Sequence, residues 1–256
     1  VGDELMFGSL LPQALQLCST LLVQMDSRLI PLFQRTMPSI QFISKHKSLD
    51  PHLYDAHLPM GDLPSIFCNQ FSDFQAIDHP YIKADIYKVK KLKATLSPQG
   101  KKLCGISWRS KNIKKGSDRS LPLKELVLAL AGFDVQLVNL QYGDVEEELN
   151  QIKELYGIEI LHCDEVDNQN DLDGLSALIQ ACDLVVSADN STVHLAGALG
   201  QTVWVLLPFN ADWRWLLGRN DSPWYPSANL FGQTEIANWS SVFKELTSAF
   251  AKRFRV

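Results

Sequence analysis

From residue 103 onward, short apolar and β-branched runs alternate with stretches of helical periodicity. The runs 103–108, 134–140, 158–161, 184–187 and 203–207 read as strands buried on both faces. Between and after them, 123–130, 145–156, 172–181, 192–199 and 239–254 read as helices. Such alternation predicts a parallel sheet covered by helices on both sides, with ligands held beyond the carboxyl ends of the strands. Before residue 98 the pattern is less regular. A helix over 4–18, a strand over 20–25, a helix over 28–35 and a short strand over 41–43 lead into a Pro- and His-rich segment, 49–83, with one helical turn at 63–69. A basic helix, 86–96, ends at Pro98-Gln99-Gly100, a linker signal that divides the chain into 1–97 and 101–256. The first helix follows almost directly on Val1-Gly2-Asp3, as though a strand ahead of it were cut off, so the chain is expected to be a fragment.

The most informative stretch runs from Leu184 to Pro208: strand, polar turn, small-residue helix, strand. Asn190 or Ser191 can cap the helix, Gly200 suits its left-handed end, and Ala196, Gly197 and Ala198 permit close packing. Asp189-Asn190-Ser191-Thr192 therefore falls where free backbone N–H groups and the positive end of a helix dipole meet, a place that attracts anions. An ordinary capped turn is the alternative. His194, in the first turn, is open between a ligand contact and a hydrogen-bonded structural role.

Other strand ends carry polar residues too. Trp108-Arg109-Ser110-Lys111-Asn112, and then Asp118-Arg119-Ser120, bring cations suited to phosphate oxygens, or else form a solvated loop. Gln141-Tyr142-Gly143-Asp144 reads as contacts to a base or ribose, or as a turn with Asp144 capping the next helix, the reading preferred for Asp144. Asp171-Leu172-Asp173 matches a metal-holding D-x-D pattern, but at a helix start it is explained by capping. Trp213-Arg214-Trp215 reads either as part of a pocket, with Arg214 at the ligand, or as buried indoles. Asp3, ahead of the first helix, reads as its cap.

Composition removes several classes. With 256 residues, 46% hydrophobic, and a net charge of −5, the chain is expected to be globular and no general nucleic-acid binder. There is no run long enough for a membrane span, no secretory-signal layout, no dinucleotide or P-loop fingerprint and no zinc spacing. Cys18, Cys68, Cys104, Cys163 and Cys182 form no C-x-x-C pair and are expected to be buried thiols in a reducing, cytoplasmic compartment.

These residues carry a resemblance. Asp189-Asn-Ser-Thr-Val-His-Leu-Ala-Gly-Ala-Leu-Gly is similar to the D-T-G-x-x-H-x-A-A-A-L-G motif of bacterial heptosyltransferases. Gly2-Asp3 with Leu11-Pro12 resembles their opening G-D segment, and Asp118-Arg119-Ser120-Leu121-Pro122 their K-x-W-P segment. Most of the chain resembles the glycosyltransferase-like region downstream of tetratricopeptide repeats, where W-R, L-Q-Y-G-D, D-L-D-G-L and D-W-R-W recur in this order. The resemblance implies an α/β fold of two Rossmann-like domains facing a cleft (GT-B type), the first lacking its first strand and the final helix crossing back to it. It implies a metal-independent, cofactor-free glycosyltransferase taking a nucleotide-sugar donor and an acceptor that is protein, glycan or lipid. Asp3 falls on the general base, Arg119 on the cation near the phosphates, and Asp189-Asn190-Ser191 on the diphosphate turn. Arg109, Lys111, Gln141, Thr192 and His194 join the donor site, and Trp108, Tyr142 and Arg214 its surroundings. Asn190-Ser191 in place of Thr-Gly leaves sugar and base preference open. A non-catalytic nucleotide- or protein-binding module of a larger chain, and a nucleotide-sugar epimerase on the same scaffold, are the competing readings.

Overall fold

A computed structural model describes residues 1–77, 79–111 and 116–254. The first region holds α1 (Gly2–Gly8), α2 (Leu11–Leu15), β1 (Leu22–Met25), α3 (Ile30–Thr36), β2 (Gln41–Ser44), α4 (Leu63–Phe67) and α5 (Ile86–Leu96). The single helix expected over 4–18 is two helices, because Pro12 lacks the N–H a continuous helix would need and instead sits in the first turn of α2. β1 and β2 form a two-stranded parallel sheet, and three short 3-10 turns accompany α4 in the Pro-rich segment.

The second region holds β3 (Lys102–Ser107), α6 (Gly116–Arg119), α7 (Leu123–Leu130), β4 (Val135–Asn139), α8 (Glu146–Tyr156), β5 (Ile160–Leu161), α9 (Leu172–Ala181), β6 (Leu184–Ala188), α10 (Ser191–Ala198), β7 (Val203–Leu207), β8 (Ala228–Gly232) and α11 (Ser240–Arg253). Its six strands are all parallel, in the order β5-β4-β3-β6-β7-β8. This is the Rossmann order, which reverses direction between β3 and β6, the position at whose carboxyl ends such sheets hold their ligands. The molecule is thus an α/β protein with two Rossmann-like regions. β8 is the strand that periodicity misses: five residues at the sheet edge, joined to β7 by a long loop instead of a helix.

Alternation along the strands sorts the core into two layers. Leu103, Val185 and Val203 face α9 and α10, and on that side the core runs without a break into Leu5, Leu32, Phe33 and Leu92 of the first region. Cys104, Val186 and Leu206 face the other way, under α7 and α11. The last helix, expected to cross back, packs instead through Val242, Phe243, Leu246 and Phe250 on this far layer, whose core contains none of the described residues of 1–97. Docking of the two regions is reinforced by Asp173 of α9, which pairs with Arg35 (2.7 Å) and Lys88 (2.7 Å). Asp171 caps α9 through Gly174 N–H, as the capping explanation of the D-x-D pattern requires. Of the cysteines, Cys104, Cys163 and Cys182 are buried, whereas Cys18 is exposed and Cys68 intermediate; none is bridged. No helix among the described residues is long and apolar enough to cross a membrane.

Candidate active site

The carboxyl ends of β3 and β6 meet in a neutral polar cluster. Asn190 is the N-cap of α10, with Oδ1 accepting from Thr192 N–H (2.9 Å), while its Nδ2 donates to Ser107 Oγ (2.8 Å) and Arg109 C=O (3.0 Å). Gln141 Oε1 accepts from Trp108 N–H (2.9 Å), Arg109 N–H (2.7 Å) and Ser107 Oγ (3.1 Å). Both amides are buried and their oxygens committed to the chain, so they hold the switch point together as scaffold. Thr192 is likewise buried beside Ser107. Ser191 is only partly buried, and its hydroxyl makes no hydrogen bond within the described chain. As the first residue of α10 it carries an N–H that has no partner inside the helix.

Next to this cluster lies a chain of charges drawn from both regions. Arg119 Nη1 stands 3.2 Å from Asp189 Oδ2, and its Nη2 2.8 Å from Asp212 Oδ2. Arg214 Nη1 meets Asp212 Oδ1 at 2.7 Å, and its Nη2 meets Asp3 Oδ1 at 2.7 Å. The local fold supplies each member: β6 delivers Asp189, α6 delivers Arg119, and Asp212 caps the 3-10 turn Trp213–Trp215 that carries Arg214. Asp189 is 1% exposed, and neither carboxylate oxygen has a well-aligned hydrogen bond. Burial pushes its carboxyl above the ordinary range, opposed chiefly by the charge of Arg119 and less by the neighbouring Trp215 indole.

His194 turns inward. Its ring stacks on Trp215 (centroids 5.6 Å, planes 17° apart), and Nδ1 pairs with Tyr225 Oη at 2.8 Å. Tyr225 in turn neighbours Tyr81, whose hydroxyl donates to Leu5 C=O (2.9 Å) in α1. Burial, and then the nearby Arg214 charge, hold the imidazole down to about 3, so it is neutral at physiological pH. Gly2 lies against the ring: a Cβ there would sit 3.0 Å from His194 Cδ2. Of its two open roles, the geometry gives His194 the structural one, joining α10 to the helix that bears Asp3.

The remaining cations lie at the rim. Arg109 donates to Asp144 C=O (2.9 Å) and pairs with Glu148 (3.0 Å), which also takes the Trp108 indole N–H at 3.3 Å. Lys111 reaches Gln169 Oε1 (3.3 Å) and stands 5.7 Å from the Tyr142 ring centre, and the Tyr142 hydroxyl accepts from Lys111 N–H. Asn112 lies outside the described residues. An open hollow on α8, lined by Asp144, Glu146, Glu147 and Glu154, is like-charged with a phosphate and ill suited to one. The structure therefore brings Asp3, Arg119, Asp189 and Arg214 together, with Ser191 two residues along the chain from Asp189, at the start of α10. It places Gln141, Asn190, Thr192 and His194 in the supporting framework. Asp212, Tyr225 and Tyr81 were not singled out from sequence, and only the Asp-Trp-Arg-Trp turn offered a signal for Asp212; of the two indoles in that turn, Trp215 is buried and Trp213 exposed. Among the described residues no group of three or more His, Cys, Asp or Glu is arranged to hold a metal ion.

No protein-family model matches the chain. Protein FlbA of Caulobacter vibrioides is 32% identical over 271 residues, which cover 97% of this chain and 44% of FlbA. The chain thus spans less than half the length of that relative. Among solved structures, the ADP-heptose lipopolysaccharide heptosyltransferase II of E. coli is similar with a TM-score of 0.61 at 14% identity, covering 98% of this chain and 96% of that one. A family 9 glycosyl transferase of Veillonella parvula gives 0.59 at 10% identity, over 99% of this chain and 94% of that one. The dodecameric iron-containing heptosyltransferase TibC, in complex with ADP-D-β-D-heptose, gives 0.54 at 15% identity over 99% of this chain and 73% of that one. The fold is that of these GT-B glycosyltransferases.

Proposed function

We propose that the chain is the glycosyltransferase part of a longer protein, moving a sugar from a nucleoside-diphosphate donor to an acceptor hydroxyl. The observation that carries this reading is the run of ion pairs that starts at Asp189, two residues ahead of α10, passes through Arg119 and Arg214, and ends on a solvent-facing carboxylate, Asp3, of the other region. In such a transfer the bond between the anomeric carbon and the phosphate oxygen breaks as the acceptor oxygen bonds to that carbon. Charge grows on the leaving diphosphate, where Arg119, Arg214 and the helix N–H stabilise it without requiring a metal. The acceptor proton passes to the carboxylate of Asp3. The E. coli neighbour and TibC carry ADP-heptose in their names, which makes a nucleoside-diphosphate sugar the donor class to test first. A repeat-bearing remainder, as in tetratricopeptide proteins, fits the 44% span on FlbA, and the cytoplasm fits the free thiols.

Melting temperatures measured with UDP, GDP, ADP and CMP sugars test the donor, since a ligand of the native state alone raises the midpoint. Diphosphate sugars are expected to raise it and Arg119→Ala to abolish the rise; no shift with any of them sinks the reading. Asp3→Asn is expected to keep donor binding and lose about 100-fold or more in turnover. One observation favours a second reading, a nucleotide-binding module without turnover: both arginines are already matched by this chain's carboxylates. Binding of donor with no transfer to, or hydrolysis by, any hydroxyl would favour it.

A further inference from the structure

Asp3 is 67% exposed, and among the described residues its carboxylate has one partner, Arg214. The proposed base and one of the proposed phosphate cations therefore occupy each other. Three features mark Arg214 as the member that a ligand would engage. Its Nε is buried with no hydrogen-bond partner, a donor position left open inside an otherwise paired guanidinium. Its side chain is held from behind by Asp212, so it keeps a fixed orientation when its outer Nη2 is released. The turn that carries it runs into Leu216, a non-glycine residue at φ +57° whose strained backbone neighbours the exposed Trp213 and Leu217.

We propose that Arg214 is a donor-operated latch on Asp3: a diphosphate takes the guanidinium in place of the Asp3 carboxylate and so releases that carboxylate for the acceptor hydroxyl. The inference rests on the glycosyl-transfer reading and adds an order to it. Before donor arrives the base is tied; once the diphosphate is seated, Asp3 faces solvent without its cation. Acceptor activation follows donor binding, and the free protein is protected from proton transfer to no purpose. No bond is made or broken in the exchange, which swaps one anion for another on the same guanidinium.

The latch predicts an unusual result, that removing the proposed base tightens binding of the leaving group. The test is calorimetric titration of the whole chain with ADP, GDP, UDP and CDP at one salt concentration, using wild type, Asp3→Asn, Arg214→Gln and the double variant. Asp3→Asn is expected to bind the preferred diphosphate about three- to fivefold more tightly, the size of a partly exposed ion pair. In the Arg214→Gln background the same Asp3 change is expected to have no effect, because the competitor has nothing left to compete for. Equal or weaker binding by Asp3→Asn overturns the latch, as does tightening of equal size in both backgrounds, which would be long-range repulsion alone. Failure of wild type to bind any diphosphate sinks the transfer reading itself and the latch with it. If Arg214→Gln unfolds, Arg214→Lys replaces it: a lysine cannot hold two oxyanions in one planar fork, so the Asp3 effect shrinks to less than twofold.

Discussion

Two polar clusters sit side by side at the end of β6, and they are built on opposite principles. Around Asn190 and Gln141 every group is neutral, and the amide oxygens and Asn190 Nδ2 are matched to Ser107, Thr192 and the backbone of 108–109. Around Asp189 and Arg214 the groups are charged and incompletely matched, with orphaned atoms on both residues. A satisfied neutral network fixes geometry and has little left to offer a ligand. An unsatisfied ionic one is costly in the free protein and receptive, the condition expected of a binding site. On the proposed reading, the anion is therefore expected at the arginines and the outer face of the helix start, with the Asn190 side chain as scaffold.

The largest consequence concerns the charged cluster. Arg119→Met leaves Asp189 buried without its main counter-charge, and is expected to lower unfolding free energy by about 3–5 kcal/mol at neutral pH in guanidinium titration. Adding Asp189→Asn should restore most of it. The loss should also shrink on acidification, because the raised Asp189 carboxyl takes up a proton in the folded state and the stranded charge disappears. Equal loss in single and double variants, flat with pH, would mean that Arg119 acts by packing and that the contrast between the clusters is not electrostatic.

Comparable in size is the effect of His194, which lies under the charged cluster but behaves as scaffold. Its folded-state value of about 3 lies below the ordinary 6.5, so between those pH values the unfolded chain binds a proton that the folded chain refuses. Stability is then complete above 6.5 and is lost as pH falls through this window, by an amount on the order of 5 kcal/mol. A His194→Asn variant is expected to start less stable, through the lost stacking and Tyr225 contact, and to show a flatter slope over the same range. Parallel slopes for the two proteins would show that the imidazole does titrate in place and faces water or ligand.

What could be read in sequence follows from the range of the interactions. The β-α alternation, the cap at Asn190, the left-handed Gly200 and the cap at Asp171 are local, and each appears in the structure. β8 escaped because Ala228-Asn-Leu-Phe-Gly is short, lies at an edge and lacks a preceding helix to frame it. The direction of His194 escaped because it depends on Trp215 and Tyr225, brought from beyond β7. Most of all, the run Asp3, Arg214, Asp212, Arg119, Asp189 joins four distant parts of the chain, and no spacing rule links position 3 to position 214. Periodicity finds elements and their caps; the pairing of charges needs the folded coordinates.

The finest division between the clusters falls between two adjacent residues, and the smallest effects test it. Asn190→Ala removes the cap of α10 and leaves Ser107 and the Arg109 carbonyl short of a donor, so a stability loss of about 2 kcal/mol is expected. Any change in diphosphate affinity should then be secondary to that loss. Ser191→Ala removes a partly buried hydroxyl with no hydrogen-bond partner among the described residues, and stability should stay within about 0.5 kcal/mol. If the anion sits on the outer face of the helix start, that hydroxyl is one of its donors, and affinity for the preferred nucleoside diphosphate should drop about three- to tenfold. Calorimetry on the two variants, with their unfolding curves, separates the roles: scaffold at 190, contact at 191. The opposite pattern, affinity lost at 190 with stability intact, would move the seat back into the crevice and require Asn190 to turn its amide from Ser107 toward the ligand.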